Sequence, residues 1–296
     1  YAIERCLVGS EMCIRDRNNV IQVFKMGTFY ICPTPIGNLN DISTRLVQVL
    51  SEVDIIYAED TRIAKKLLSH LNQKKEIRSY FKGNEIKKID EILNLLDDDK
   101  SIAMISDAGT PLISDPGNIL VKELIKSNVE IVSIPGPSSV LVALTLSGFD
   151  TEKFTFLGFV PKSGKERAEF FNNIQETQLT LICFTSPNRL KKDLQEFVNK
   201  KIENEIVVCR ELTKKFETIY RGTATTLLRD IPDTEYKGEV TLVIDKSQKI
   251  KTIDIDSEDL AKKLIEYKVP KREIAKIISS ITKEKVNSIY DLIKNL

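Results

Sequence analysis

Polar, glycine-containing turns that could hold a ligand follow three apolar segments in the first half of the chain. They cover residues 33–38, 106–117 and 135–139 and offer hydroxyl groups, the carboxylate of Asp107 and open backbone. Such groups suit a small polar ligand, because glycine lets main-chain N–H and C=O groups approach it closely. We expect the three turns to form one composite site. The alternative is that they are only tight connections between strands and helices.

The usual sequence signatures of catalysis are missing from the chain. It has no G-x-S-x-G, H-E-x-x-H, G-x-G-x-x-G or Walker motif. Its single histidine, His70, falls in a helical pattern, and its five cysteines occur singly, without metal-ligand spacing. We therefore expect no metal. A bound organic cofactor that donates an activated group fits better, with the protein supplying binding and orientation.

A repeated order of strand, turn and helix positions the turns. Short apolar segments that indicate strands cover residues 29–32, 53–58, 102–105 and 129–134. Helical patterns separate them, which predicts βαβ units and a parallel sheet with the turns at its carboxyl edge. The second half predicts a mixed sheet, because its strand patterns alternate and its helices are fewer.

The whole chain is predicted to be α/β, with two α/β domains at 26–149 and 150–245 and a small three-helix appendage at 257–296. Residues 1–25 show no sustained periodicity and precede Met26. We predict that they are a non-native or disordered leader.

Composition limits the partners and the compartment. Lysine and arginine number 44 and acidic residues 43, for a formal charge of +1, so any nucleic-acid contact must come from local patches. No apolar run approaches the roughly 20 residues of a membrane helix. The single cysteines favour a reducing cytoplasm.

A basic segment near the start of the second half is a candidate phosphate site. Lys162, Lys165 and Arg167 occur there with serine and glycine, and such cations could hold RNA phosphates. A solvated surface loop is an equally good interpretation. The basic residues of the appendage are similarly ambiguous between RNA contact, a solvated face and a dimer contact.

Eight motifs resemble one family. T-P-I-G-N at 34–38, A-E-D-T-R at 58–62, S-D-A-G-T-P-L-I-S-D-P-G at 106–117 and I-P-G-P-S-S at 134–139 are similar to the tetrapyrrole methylase superfamily. F-L-G-F at 156–159, F-T-S-P-N-R at 184–189, R-E-L-T-K-K-F-E at 210–217 and G-E-V-T-L at 238–242 look like its branch of small-subunit ribosomal RNA methyltransferases. The resemblance runs from about Met26 to the end of the chain.

This resemblance implies a cytoplasmic homodimer that uses S-adenosylmethionine to methylate the ribose 2′-hydroxyl of a cytidine in the decoding region of 16S ribosomal RNA. It implies a cofactor cleft between the two α/β domains. The cofactor-binding residues carried over by their motifs are Pro35, Ile36, Asp107, Thr110, Ser139, Val140, Phe184, Leu212, Val240 and Thr241.

The chain departs from the branch at three histidine positions. Ile63 and Asn188 stand at two of them, and the segment 80–84 has no histidine. Glu59, Asp60 and Lys215 are the remaining motif-borne candidates for the catalytic role; the alternative is that they form structural ion pairs, in which Arg62 or Arg210 would be the partner of a carboxylate. Other hypotheses are a tetrapyrrole or protein substrate, and a non-catalytic RNA-binding assembly factor.

Overall fold

The structure is a computed structural model that describes residues 26–232, 238–246, 257–282 and 286–294. The predicted leader at 1–25 lies outside these residues. The chain forms two compact units: the larger extends to Asn172 and resumes over Leu179–Asp245, and the smaller consists of Asn173–Gln178 and Lys246–Leu296. Two sheets belong to the larger unit. The domain boundaries given above remain predictions.

The first sheet is parallel, as the βαβ pattern predicts. Its strands are β1 Phe29–Cys32, β2 Ile55–Ala58, β3 Glu76–Ser79, β4 Ile102–Ile105 and β5 Ile131–Ser133, in the order β3-β2-β4-β1-β5. The connecting helices are α1 Thr44–Glu52, α2 Thr61–His70, α3 Glu85–Asp97 and α4 Asn118–Lys126, and α5 Ser139–Ser147 follows β5. Because β4, β1 and β5 are adjacent, the three glycine-containing turns emerge side by side at one edge.

Helices cover both faces of this sheet. Leu46 and Leu50 of α1 and Leu68 of α2 pack with Ile56 on one face. Ile92 of α3 and Leu120 and Leu124 of α4 pack with Phe29 on the other. Each such buried side chain contributes about 1.5–3 kcal/mol by leaving water. The sheet is therefore a rigid base for its carboxyl edge.

The second sheet is mixed, as predicted. Its strands are β6 Phe154–Phe159, β7 Thr180–Thr185, β8 Ile206–Arg210, β9 Thr218–Gly222 and β10 Val240–Ile244, in the order β6-β7-β10-β8-β9. Only the β6–β7 pair is parallel among these described pairs. The remaining helices of this half are α6 Gly164–Glu176, α7 Pro187–Asn199 and α8 Ala224–Asp230.

The smaller unit contains three C-terminal helices, as predicted. They are α9 Ser257–Glu266, α10 Lys271–Thr282 and α11 Val286–Ile293. They share a small apolar core that includes Ala261, Ile274, Ile278 and Ile289. Across the residues that the structure describes, no helix has the length and apolar character needed to cross a membrane.

Candidate active site

A cavity of about 250 Å³ is lined by residues of the turns after strands of the first sheet and by residues in and next to strands of the second. Its size is close to the lower limit of about 300 Å³ for typical small-molecule sites. Eight of the ten cofactor-binding residues implied by the motifs line it, namely Ile36, Thr110, Ser139, Val140, Phe184, Leu212, Val240 and Thr241. The structure thus brings the predicted turns together at one cavity.

Hydrogen bonds join the turns of the first sheet. Thr34 and Gly109 exchange two backbone hydrogen bonds of 2.9 and 3.0 Å, and the Thr34 hydroxyl donates to the carbonyl of Ser106 at 3.2 Å. The Thr110 hydroxyl donates to the carbonyl of Pro137 at 3.0 Å. Thr110 therefore ties the turn after β4 to the turn after β5, and its side chain fixes the shape of the cavity wall.

The opposite wall comes from the second sheet. Thr241 in β10 lies between Phe184 of β7 and Cys209 of β8 in the sheet register. The ring of Phe184 meets the ring of Phe159 edge-to-face, with centroids 5.3 Å apart. Phe159 is 59% exposed although it lines the cavity. An aromatic side chain thus stands at the cavity mouth.

Two of the ten predicted cofactor residues, Pro35 and Asp107, are not among the lining residues. The carboxylate of Asp107 instead accepts a hydrogen bond from the backbone N–H of Asp60 at 2.9 Å. Because β2 and β4 are neighbours, this bond ties the turn after β2 to the turn after β4. Asp107 has a structural role that the motif alone does not reveal.

The three predicted catalytic residues also lie outside the cavity lining. Asp60 caps α2 by accepting from the N–H of Arg62 at 2.8 Å, and hydrogen bonds from the Arg62 side chain lower its pKa to about 2. A carboxylate with so low a pKa is a weak base. Asp60 therefore fits the alternative given above, a structural ion pair with Arg62. Lys215 is exposed, with its ammonium 5.6 Å from the ring centre of Phe216. Glu59 is half-buried.

Two carboxylates that were not predicted line the cavity, Asp115 and Glu239. Burial, followed by the charges of Glu59 and Asp107, raises the pKa of Asp115 to about 6. Glu239 is 69% exposed, and its carboxylate lies 3.3 Å from the Lys214 ammonium. Both residues fall inside the quoted motifs, so their acidic side chains were the available signal.

Strained backbone is concentrated beside the cavity. Leu112, Ser114, Glu211 and Thr213 have positive φ angles of 75°, 72°, 52° and 65°. The other described non-glycine residues with positive φ follow the ends of helices, where this conformation is common. Each such residue costs about 1–3 kcal/mol of backbone strain. Strain of this size is found mainly at functional sites, so its position in loops that carry lining residues supports a functional role for the cavity.

The predicted RNA-binding residues occupy different environments. Lys162 and Lys165 are exposed. Arg167 is only 8% exposed and forms a 2.6 Å ion pair with the fully buried Asp193. Its guanidinium also lies 4.9 Å from the ring centre of Phe171. Arg167 is therefore a core residue at the start of α6, whereas the two lysines are on the surface, where Lys165 lies 3.5 Å from the exposed carboxylate of Glu169.

A family model matches most of this sequence. The model for tetrapyrrole (corrin/porphyrin) methylases covers residues 28–228. The chain belongs to the tetrapyrrole methylase family. Membership makes the chain a methyltransferase with the α/β fold of that family.

Relatives within the tetrapyrrole methylase family are similar along most of their length. One relative is the protein named "Ribosomal RNA small subunit methyltransferase I" in Buchnera aphidicola subsp. Schizaphis graminum. It is 36% identical to this chain, and the match covers 90% of this chain and 95% of the relative. The corresponding protein of Streptococcus pyogenes serotype M1 is 35% identical, over 91% and 96%. That of Halalkalibacterium halodurans is 37% identical, over 79% and 82%.

Solved structures share the fold at low identity. Uroporphyrin-III-C-methyltransferase from Thermus thermophilus superposes with a TM-score of 0.53 at 16% identity, over 75% of this chain and 95% of that one. A diphthine synthase superposes with a TM-score of 0.59 at 14% identity, over 74% and 89%. At this identity the likeness establishes the tetrapyrrole methylase fold and not the substrate.

Proposed function

We propose that this methyltransferase transfers the methyl group of S-adenosylmethionine to the ribose 2′-hydroxyl of a cytidine in the decoding region of 16S ribosomal RNA. The observation that carries the proposal is the similarity to proteins named for small-subunit ribosomal RNA, at 35–36% identity over about nine tenths of both chains. The structural neighbours named for a porphyrin and for diphthine are less than 20% identical, so they do not favour those substrates.

The cavity lining fits S-adenosylmethionine. Ile36, Val140, Leu212 and Phe184 offer apolar surface to an adenine ring, and backbone groups of the turns can receive polar atoms. The lining drawn from the described residues includes two carboxylates and neither lysine nor arginine. This acidity suits a positively charged sulfonium. When bound, the cofactor supplies an electrophilic methyl group.

The acidity of the cavity also decides which part of the RNA can enter it. A phosphate brought into this cavity would meet like charge, whereas a ribose with its base is neutral. We infer that one nucleotide enters with its sugar and base, and that its phosphates stay outside. Lys162 and Lys165 are exposed cations that can hold phosphates there. The chain's own contribution is to hold the 2′-oxygen in line with the methyl group.

Methyl transfer to small ribosomal subunits tests the proposal. Subunits from a strain that lacks the modification would be incubated with the protein and S-adenosylmethionine labelled in the methyl group. We expect label in 16S RNA, and nuclease digestion followed by mass spectrometry should give 2′-O-methylcytidine. Naked 16S RNA, a corrinoid precursor and a protein substrate serve as parallel acceptors. Label only in one of the last two would contradict the RNA assignment.

We also propose that the protein works as a homodimer in the cytoplasm, because the family resemblance implies both. The small apolar core of the C-terminal unit and the charge-balanced composition are compatible with such an enzyme. Sedimentation velocity at micromolar concentration should give about twice the chain mass of 33.6 kDa. A species at the mass of one chain would contradict the dimer.

A further inference from the structure

Transfer of a methyl group to a ribose hydroxyl leaves one proton to be removed. Resting on the proposed function, we infer that Asp115 is the catalytic general base that takes the proton of the 2′-hydroxyl. Asp115 lines the cavity, and it lies in the turn that follows the central strand β4. The three motif-borne candidates, Glu59, Asp60 and Lys215, do not line it. A base must reach the proton, so position favours Asp115.

The other titratable groups of the lining are poorly suited to the role. Glu239 is 69% exposed, and its carboxylate is already engaged by the Lys214 ammonium at 3.3 Å. Burial raises the pKa of the Cys209 thiol to about 11, so at neutral pH it holds its proton. The remaining polar side chains of the lining are serine and threonine hydroxyls, which are not bases at neutral pH.

Neighbouring charges adjust Asp115 for proton transfer. The largest effect on its pKa is burial, and the carboxylates of Glu59, Asp107 and Glu239 raise it further, while a hydrogen bond with Ser106 lowers it. A carboxylate surrounded in this way is a stronger base than an exposed one, yet it is still ionised at neutral pH. Glu59 and Asp107 therefore act electrostatically: their charges increase the basicity of Asp115 without contact with the substrate.

The backbone around Asp115 is held in place. Ser114 before it has a φ of 72°, and Pro116 after it restricts Asp115 to extended conformations. The N–H of Gly117 donates to the Glu85 carboxylate of α3 at 2.9 Å. These restraints on the backbone limit where the Asp115 side chain can start from, which favours a positioned base.

The reaction balances with these groups alone. A lone pair of the 2′-oxygen forms the new O–C bond, and the methyl–sulfur bond breaks with its electron pair staying on sulfur. The hydroxyl proton passes to a carboxylate oxygen of Asp115 and later to water. The charges of the sulfonium and the carboxylate cancel as the neutral thioether, ether and carboxylic acid form.

A pH profile of purified full-length variants tests the assignment. For the wild-type protein, log(kcat/KM) for the cofactor should rise with pH to a plateau, with a midpoint near 6. Asp115→Asn should lower kcat on small subunits by about 100-fold or more at saturating substrates and remove this rise. Asp115→Glu should recover part of the rate.

Glu59→Gln provides the positive test of the electrostatics. Removing this neighbouring negative charge should move the midpoint to lower pH and leave a clear plateau, whereas Glu123→Gln, on α4 away from the cavity, should leave the midpoint unchanged. Calorimetric binding of S-adenosylmethionine and near-ultraviolet circular dichroism show whether each variant is folded. A folded Asp115→Asn protein with wild-type kcat, or a midpoint that Glu59→Gln does not move, overturns the assignment of Asp115 alone. Absence of methyl transfer by the wild-type protein overturns the proposed function with it.

Discussion

The ion pair between Arg167 and Asp193 stabilises the packing of α6 on α7. Asp193 is fully buried and also accepts a 2.5 Å hydrogen bond from the Thr185 hydroxyl. Arg167→Ala would remove the nearer of the two guanidinium groups beside this carboxylate and leave only Arg189, 3.6 Å away. We therefore expect a loss of about 3 kcal/mol in the free energy of unfolding, at the lower end of the cost of breaking a buried pair. Urea denaturation measures it. Lys165→Ala is the matched control, because Lys165 is 89% exposed and should change stability by less than about 0.5 kcal/mol.

The ionised carboxylate of Asp115 should lower the free energy of unfolding at the pH where it acts as a base. Its pKa in the folded protein is raised to about 6 from an ordinary value of 3.8, so the favourable contribution of its protonated form is present below 3.8 and is lost as the pH rises through 6. Asp115→Asn should therefore raise the unfolding free energy at pH 8 by about 1 kcal/mol, after allowance for partial solvent screening. At pH 4 the difference should be small. Thermal unfolding at both pH values checks it, and a gain of equal size at pH 4 would contradict the electrostatic cause.

The residues that line the cavity were predictable where a motif includes them and a strand end presents them. Ile36, Thr110 and Val140 follow strands β1, β4 and β5, whose adjacency places them at one cavity. Asp107 could not be placed in this way, because its bond to Asp60 joins residues 47 positions apart. Arg167 is a similar case, since its partner Asp193 lies 26 residues later. Composition identifies a cation but not the buried carboxylate that neutralises it.

At the scale of elements, the turns depend on glycine where the backbone is left-handed and the space is small. Gly109 has a φ of 79°, and a Cβ there would lie 3.2 Å from the Ile36 side chain at the cavity wall. Gly109→Ala should therefore cost about 1–2 kcal/mol in backbone strain and weaken cofactor binding several-fold by displacing Ile36. Calorimetry and thermal unfolding measure the two effects separately.

Gly164 offers the matched control for this prediction. Its φ is 78°, and a Cβ there would have no neighbour within 4 Å. Gly164→Ala should carry the same backbone strain with unchanged affinity for S-adenosylmethionine. Equal losses of affinity in the two variants would show that strain, and not the contact with Ile36, controls the cavity.

The hydrophobic periodicity of the sequence predicted most helices and strands. It missed those whose residues are polar and are stabilised only by contacts formed in the fold. The apolar strands β1 and β4 have the predicted bounds, because uninterrupted apolar segments leave few alternatives. Strand β3 was missed because Glu76 and Arg78 make it look like a loop; in the fold they form a 2.7 Å ion pair. The basic segment, for which a solvated surface loop was one of two interpretations, is helical from Gly164 onward, and the buried Arg167 stabilises the start of this helix.

At the scale of the whole molecule, the balanced charge makes RNA binding a property of local patches. With 44 basic and 43 acidic residues, the chain as a whole does not attract a polyanion strongly. The acidic cavity repels phosphate, so exposed cations outside it must supply the backbone contacts. Lys162 and Lys165, which lie just after the cavity residue Phe159, are the pair that we propose.

The salt dependence of RNA binding tests this arrangement. Each released phosphate contact lowers the magnitude of the slope of log K against log salt by about 0.7–0.9, so the double variant Lys162→Ala with Lys165→Ala should lower it by up to about 1.8. Filter binding of small subunits between 50 and about 200 mM salt measures the slope. The matched control replaces Lys100 and Lys126, which precede β4 and β5 at the opposite edge of the first sheet. Because phosphate contacts do not touch the cavity, both double variants should bind S-adenosylmethionine as the wild-type protein does; equal slopes in both would place the RNA elsewhere on the surface.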